Sequence, residues 1–362
     1  MKRSMAENQK ESGRRRRLRY LPGAALLLVL GSGIALTVAD PASFSSPGPG
    51  GGLIDGRWTG VYQKRFEEGL AIRGPAVAAW GLLKYRLFGE GNRGVLVGRD
   101  GWLFTAEEFE PRAAPALRID LQEVRLAKAE LDRLGVDLVI ALVPAKARIY
   151  PERLGRYALP RQVSGRYREL LARLAGLGIQ APDLQAPLLE GKNKGQVFLR
   201  TDTHWTPFGA QLAAEALAPE VDRLLAESGS PRARFLTRIG DELEYRGDLL
   251  NFIPLGPFAG RWGPKPDRVR ETVTFREDAV QTGLFEQQVI PVLLVGTSYS
   301  AGALWNLEGA LKAAASADVL NVSEPGQGAL SPMRKLLQGS VLAEVQAKVV
   351  VWEIPERYFT LP

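Results

Sequence analysis

The chain has no cysteine, and histidine occurs once in its 362 residues. Without thiols there is no disulfide framework, so stability has to come from a buried core. A single imidazole and no thiolate exclude the common zinc, copper and haem arrangements, which draw on several nitrogen or sulfur donors. No carboxylate spacing resembles an EF-hand loop either. A genuine excess of charge is missing too. The chain holds 47 Lys/Arg and 40 Asp/Glu, but the first 20 residues take eight of the former and only two of the latter. The remainder carries 39 against 38. The basic character is therefore a tail, RRRRLR at 14–19, and no groove for nucleic acid is expected.

Charge disappears altogether from YLPGAALLLVLGSGIALTVA, residues 20–39. At about 1.5 Å per residue a helix of this length spans roughly 30 Å, the thickness of a bilayer's hydrocarbon core. Arginines before it and Asp40 after it predict a cytoplasmic tail (1–19), a transmembrane signal anchor (20–39) and an exported body. A cleaved signal peptide competes, since TVA before Asp40 suits a small-residue cleavage site; the length of the apolar run favours the anchor. DPASFSSPGPGGG, 40–52, reads as a Pro/Gly linker that holds the exported body off the membrane surface.

Residues 53–362 are long enough to bury a large core. Aromatic, basic and apolar residues at helical spacing predict a helical extension over 58–88, and GVLVGRDGWLF (94–104) predicts a hairpin. Amphipathic helices are expected at 121–134 and 165–178, a buried strand at 136–143 and a short strand at 179–184. Thr206 and Pro207 are a cap and a first-turn proline, opening a helix to about residue 227. Weak periodicity over 228–288 reads as an insertion of loops and short strands. PVLLV (291–295), ADVLNV (317–322) and KVVVWEI (348–354) complete the strands, with a helix near 329–345. Continuous apolar strands alternating with helices predict an α/β fold with a mostly parallel sheet covered on both faces.

In such sheets sites lie at the carboxyl ends of strands. LLVGTSYS (293–300) puts Ser298 there, with Gly296 expected to permit a tight turn and a helix N-terminus favouring negative charge at the serine's own N–H. Ser298 is then either a nucleophile or simply the cap of that helix. In TDTHW (201–205), residues two apart in an extended segment share a face, so Asp202 is placed to orient His204. The alternative is a loop aspartate with a half-buried histidine. Asp, His and a strand-end serine are the three parts of an acyl-transfer triad.

The blocks GRDGWLF (98–104), VPAKARIYPERL (143–154), TDTHWTPFGA (201–210), VLLVGTSYSA (292–301) and VVVWEIPERY (349–358) occur in this order. Together they resemble the alginate O-acetyltransferase family, the AlgJ/AlgX-like proteins with an SGNH-hydrolase-like domain, over roughly residues 90–360. The resemblance implies a three-layer SGNH-hydrolase-like domain with Ser298 as nucleophile, His204 as general base and Asp202 as its orienting acid. It also implies transfer of acetyl groups to an alginate-like bacterial exopolysaccharide in the periplasm. A multi-spanning membrane O-acyltransferase would supply the acetyl group, and this protein would sit single-pass in the inner membrane beside it. WEIPERY lies close to the last residue, so the carbohydrate-binding module of AlgX-like members is not expected and the membrane-tethered AlgJ-like branch is the better match. No cofactor or metal is expected. Gly326 and Gly328 are candidates for a second oxyanion donor, or else form a plain glycine loop. Tyr299, Trp205 and Trp305 are candidates to line a sugar cleft, or else are core, and Lys146 and Arg148 either meet an anionic polymer or are solvated surface. An esterase using the same triad on water, and a non-catalytic glycan- or partner-binding module, are the competing functions.

Overall fold

The computed structural model describes residues 57–70, 72–277 and 289–360, together with 20, 23–24, 26–35 and 38–39. The expected tail (1–19), the expected linker (40–52) and the end of the expected insertion (278–288) lie outside the described residues. Described positions of the expected anchor are helical. Among the described residues, no helix is long and apolar enough to cross a membrane. The chain divides into two units, one of Met1–Lys84 with Pro254–Gly263, the other of Tyr85–Ile253 with Pro264–Pro362.

In the first unit, α1 is Arg57–Gly69 and α2 is Arg73–Leu83. Helix α2 buries Ala78 and Gly81. Gly81 sits so close to the chain at 254 that an added Cβ would lie 2.3 Å from the Pro254 carbonyl oxygen.

The second unit opens with the predicted hairpin, β1 (Val95–Val97) against β2 (Leu103–Thr105). Helix α3 (Leu121–Arg133) comes next; its start is fixed by a capping box, in which Asp120 accepts from Glu123 N–H at 2.9 Å and Glu123 accepts from Asp120 N–H at 3.1 Å. Strand β3 (Asp137–Val143), helix α4 (Arg166–Gly176) and the long helix α5 (Pro207–Glu227) succeed it. Thr206 caps α5, accepting from Gly209 N–H at 3.1 Å, with Pro207 in the first turn where its missing N–H costs nothing. Then come β4 (Phe235–Tyr245), β5 (Asp267–Arg276), β6 (Val292–Val295), α6 (Ser298–Ala301), α7 (Leu307–Ala315), β7 (Val319–Asn321), α8 (Leu330–Gln338) and β8 (Val349–Pro355).

The central sheet has the order β3-β8-β6-β7, all parallel. Because successive side chains of a strand point to opposite faces, each apolar run feeds two cores. Val139, Ala141 and Val143 of β3, Val292 and Leu294 of β6, and Val349 and Val351 of β8 pack with α5 and α7. Leu138, Ile140 and Leu142, Leu293 and Val295, and Val350, Trp352 and Ile354 pack with α3, α4 and α8 on the other face. Three layers result, and a polar residue on either face of these strands would be buried.

Three expectations are corrected. Residues 179–184 do not form a strand; a single bridge joins Gln180 to Val139. The helix expected near 329–345 is interrupted after Gln338, where Gly339 takes an extended conformation. Residues 228–277 hold no short strands but one long antiparallel ribbon of β4 and β5, with an irregularity between Ile239 and Glu242.

Candidate active site

Strand β6 hands the chain to Gly296, Thr297 and Ser298 at the carboxyl end of the sheet. The glycine is there for room. An added Cβ at Gly296 would lie 2.6 Å from Glu353 Oε2 and 2.8 Å from the Glu353 Cβ and carbonyl oxygen. Gly296 is absent from the glycines with positive φ, so the expected tight glycine turn is not the reason for it. The close approach lets buried Glu353, on β8, hold the turn. Its carboxylate accepts from Thr297 N–H at 2.7 Å, from the Thr297 hydroxyl at 2.9 and 3.1 Å and from the Ser300 hydroxyl at 3.1 Å. Burial pushes the Glu353 carboxyl up, against the pull of the Thr297 N–H.

Thr297, not Ser298, caps α6, accepting from Tyr299 N–H at 3.3 Å. The Ser298 hydroxyl is thereby released for another partner, and it has one: His204 Nε2 at 2.7 Å. On the other side of the imidazole, His204 Nδ1 meets Asp202 Oδ1 at 2.6 Å. A carboxylate only accepts, so Nδ1 carries the proton and Nε2 is left as an acceptor facing the serine.

The backbone brings these groups together through a short reversal: Leu199 N–H donates to His204 O at 3.0 Å and Thr206 N–H to Val197 O at 3.0 Å. Asp202 is fully buried and receives four donors. Oδ1 accepts His204 N–H at 2.8 Å as well as the ring, and Oδ2 accepts Asp248 N–H at 2.7 Å and the Tyr245 hydroxyl at 3.1 Å. Burial alone would raise its pKa, but the His204 ring and these N–H groups outweigh it and hold the carboxyl well below the usual carboxylate range. Asp248 in turn accepts Thr203 N–H at 2.8 Å; burial and the neighbouring Asp202 charge push its own carboxyl up.

Lys146 lies beneath this reversal, and it is buried, which corrects its reading as a surface contact for polymer. Its ammonium donates to three carbonyls, Leu103 at 2.6 Å, Asp202 at 2.9 Å and Arg200 at 3.0 Å. Burial pulls it down to about 8, although Glu108 and Asp267 favour its charge. Arg148 is corrected likewise: it is paired with buried Glu356 at 2.9 Å.

The aromatics read either as a sugar cleft or as core are packed inward. Trp205 is fully buried and donates to Tyr299 O at 3.1 Å; Tyr299, also buried, donates its hydroxyl to Thr203 O at 2.8 Å. Trp305 stacks on the His204 ring, centroids 4.4 Å apart and planes within 12°, and donates to Ser298 O at 3.0 Å. These rings hold the imidazole and the serine turn in place. Gly326 and Gly328 both have positive φ, but no hydrogen bond among the described residues joins either to Ser298 or His204. Gly328 packs instead toward Ala116 and Leu117.

Ligand atoms of Asp202, His204 and Asp248 lie within 4.8 Å of one another, a grouping that can hold a cation. Their facing atoms are already engaged: both Asp202 oxygens and an Asp248 oxygen accept N–H or O–H donors, and His204 Nδ1 faces Asp202. A cation would have to displace those donors, so the trio fits a hydrogen-bonded network and not a metal cage. Tyr245, Asp248 and Glu353 carry no signal of their own in the sequence. Strand β4 delivers the first, the turn between β4 and β5 the second, and the strand register the third.

The chain matches the family model described as SGNH hydrolase-like domain, acetyltransferase AlgX, over residues 95–356. It is 41% identical over 319 residues to a protein of Pseudomonas aeruginosa named probable alginate O-acetylase AlgJ, covering 85% of this chain and 81% of the relative. The solved O-acetyltransferase domain of Pseudomonas putida AlgJ is 43% identical, with a TM-score of 0.64 over 73% of this chain and 91% of that one. Pseudomonas aeruginosa AlgX, at 24% identity, shares the fold with a TM-score of 0.58 over 78% of this chain and 66% of the other.

Proposed function

This chain belongs to the alginate O-acetyltransferase family of AlgJ/AlgX-like proteins, and from that premise we propose that it passes acetyl groups to hydroxyls of an alginate-like exopolysaccharide through an acetyl-serine on Ser298. The observation that carries this reading is the unbroken chain Asp202–His204–Ser298, with contacts of 2.6 and 2.7 Å. His204 Nε2 accepts the Ser298 proton as Oγ attacks the carbonyl carbon of a donor acetyl ester. The imidazolium so formed is stabilised by Asp202, whose four donors keep it ionised while buried. The Ser298 backbone N–H, first in α6, supplies one donor to the tetrahedral oxyanion. Collapse expels the donor alcohol, which takes the proton from His204. A sugar hydroxyl then gives its proton to Nε2 and attacks the acetyl-serine; collapse expels the Ser298 oxygen, which takes that proton back from His204.

The proposed location rests on the N-terminus. Residues 20–39 carry no charge, the described part is helical, and Leu26, Leu27, Leu28 and Ile34 are exposed on it. These features support a retained inner-membrane anchor, with the catalytic unit in the periplasm beside a membrane acyltransferase that supplies acetyl groups.

The test supplies a small acetyl ester and alginate oligosaccharides to the full chain and follows the sugars by mass spectrometry. Acetylated sugar that vanishes in Ser298→Ala is the expected outcome. Acetate released at a rate indifferent to the sugar would replace the transferase reading with an esterase.

A further inference from the structure

Helix α2 has no polar face. From Gly74 to Leu83 its sequence is GPAVAAWGLL, without one charged or hydrogen-bonding side chain apart from the Trp80 indole. One side, Ala78 and Gly81, is buried. The other is bare: Val77 is 45%, Trp80 59% and Leu83 39% exposed, with exposed Ala76 and Ala79 between them. An apolar helix surrounded by water is unfavourable, and a solvated face would carry charges here.

The surroundings of that face identify its cover. Ile72, immediately before α2, comes within 3.8 Å of the position a side chain would take at Gly33, in the charge-free segment of the same unit. Helix α1 adds an aromatic ladder, Trp58, Tyr62 and Phe66, stacked at 5.3 and 6.3 Å. Arg57 and Lys64 lie on α1, Arg73 opens α2 and Lys84 follows it, alongside the acidic Glu67 and Glu68 at the end of α1. Indole and phenol rings with basic residues around an apolar stripe are the composition that settles at the headgroup level of an anionic bilayer.

We infer that α1 and α2 form a membrane-surface platform, with the Val77–Trp80–Leu83 face seated in the boundary between headgroups and acyl chains. The inference rests on the anchor reading, because it is the segment at 20–39 that brings this unit to the bilayer. No covalent step is involved. Burying the three side chains in lipid removes apolar surface from water, and the cations meet lipid phosphates.

The absence of cysteine makes the test direct. Single substitutions Val77→Cys, Leu28→Cys and Glu67→Cys, each in the full chain reconstituted in nanodiscs containing anionic lipid, receive a nitroxide. Collisions with oxygen, which concentrates in lipid, are then compared with collisions with a water-soluble nickel chelate. The expected result is an oxygen-to-nickel accessibility ratio several-fold higher at Val77→Cys and Leu28→Cys than at Glu67→Cys, repeated with Ala76→Cys. A nickel-accessible label at Val77→Cys with a lipid-buried one at Leu28→Cys overturns the platform and leaves the anchor standing. Nickel access at both overturns both readings. Dipolar broadening between labels at Val77→Cys means that a second copy covers the face, and overturns the bilayer as its occupant.

Discussion

Asp202→Asn isolates the proton logic of the site without changing its shape. The carboxylate accepts four donors, two on each oxygen. An amide has one acceptor oxygen, so two donors must face an NH2 group whichever way it turns. If the amide oxygen stays toward His204, the Asp248 N–H and the Tyr245 hydroxyl lose a charged acceptor. If it flips, its NH2 meets the ring, Nδ1 becomes the acceptor, and the proton moves to Nε2, which then cannot take one from Ser298. Each lost charge-assisted bond is worth about 1.5–3 kcal/mol. Two together give about 3–6 kcal/mol, or a fall in kcat of roughly 10²- to 10⁴-fold. Tyr245→Phe removes one neutral donor and keeps the ionised acceptor, so about a tenfold fall is expected. The assay is acetyl release from a small ester together with acetylated oligosaccharide by mass spectrometry, with circular dichroism melting to establish that each variant is folded. Folded Asp202→Asn within tenfold of the parent would refute the reasoning, as would Tyr245→Phe losing as much as Asp202→Asn.

Gly296→Ala forces a Cβ to within 2.6 Å of Glu353, so melting should show a loss of about 1–3 kcal/mol with activity falling alongside; an unchanged melting temperature contradicts the packing argument. Glu353→Gln keeps volume but loses charge on the acceptor of Thr297 N–H, and kcat should drop about 10- to 100-fold with KM little changed; a rise in KM alone would move Glu353 out of the serine turn. Lys146 has a folded pKa of about 8 against 10.5 unfolded. Between those values the unfolded chain binds more protons, so this group's contribution to stability rises with pH across that window, and its penalty is fully present below about 8. Relative to Lys146→Met, the parent should gain up to about 3 kcal/mol between pH 8 and 10.5; parallel stability curves for the two proteins would contradict it.

The parallel sheet was readable because its strands are buried on both faces and so become uninterrupted apolar runs, as in VLLV of β6 and VVVW of β8. Helix α5 announced itself through Thr206 and Pro207, whose side chains satisfy or remove N–H groups locally. The two-residue spacing of Asp202 and His204 was equally local. The ribbon was illegible for the opposite reason: RIGDELEY in β4 mixes charge and apolar residues without a period, since both faces of β4 are largely exposed. Tyr245 and Asp248 reach Asp202 only through the end of β4 and the turn that joins it to β5. A lysine reads as surface on statistics alone, and nothing in VPAKAR tells that Lys146 has three carbonyls around it. Glycine at 296 was readable as necessary, but its reason, the approach of Glu353, required the register of β6 on β8.

A covalent acetyl group at Ser298 is the central claim. The full chain is mixed with a small acetyl ester in the absence of any sugar acceptor, quenched in acid, digested, and mapped by mass spectrometry. The prediction is a single acetyl group on the Ser298 hydroxyl, absent from Ser298→Ala and His204→Ala, and discharged when oligosaccharide is added before the quench. Turnover of ester to acetylated sugar with Ser298 never acetylated, or undiminished in Ser298→Ala, would contradict it.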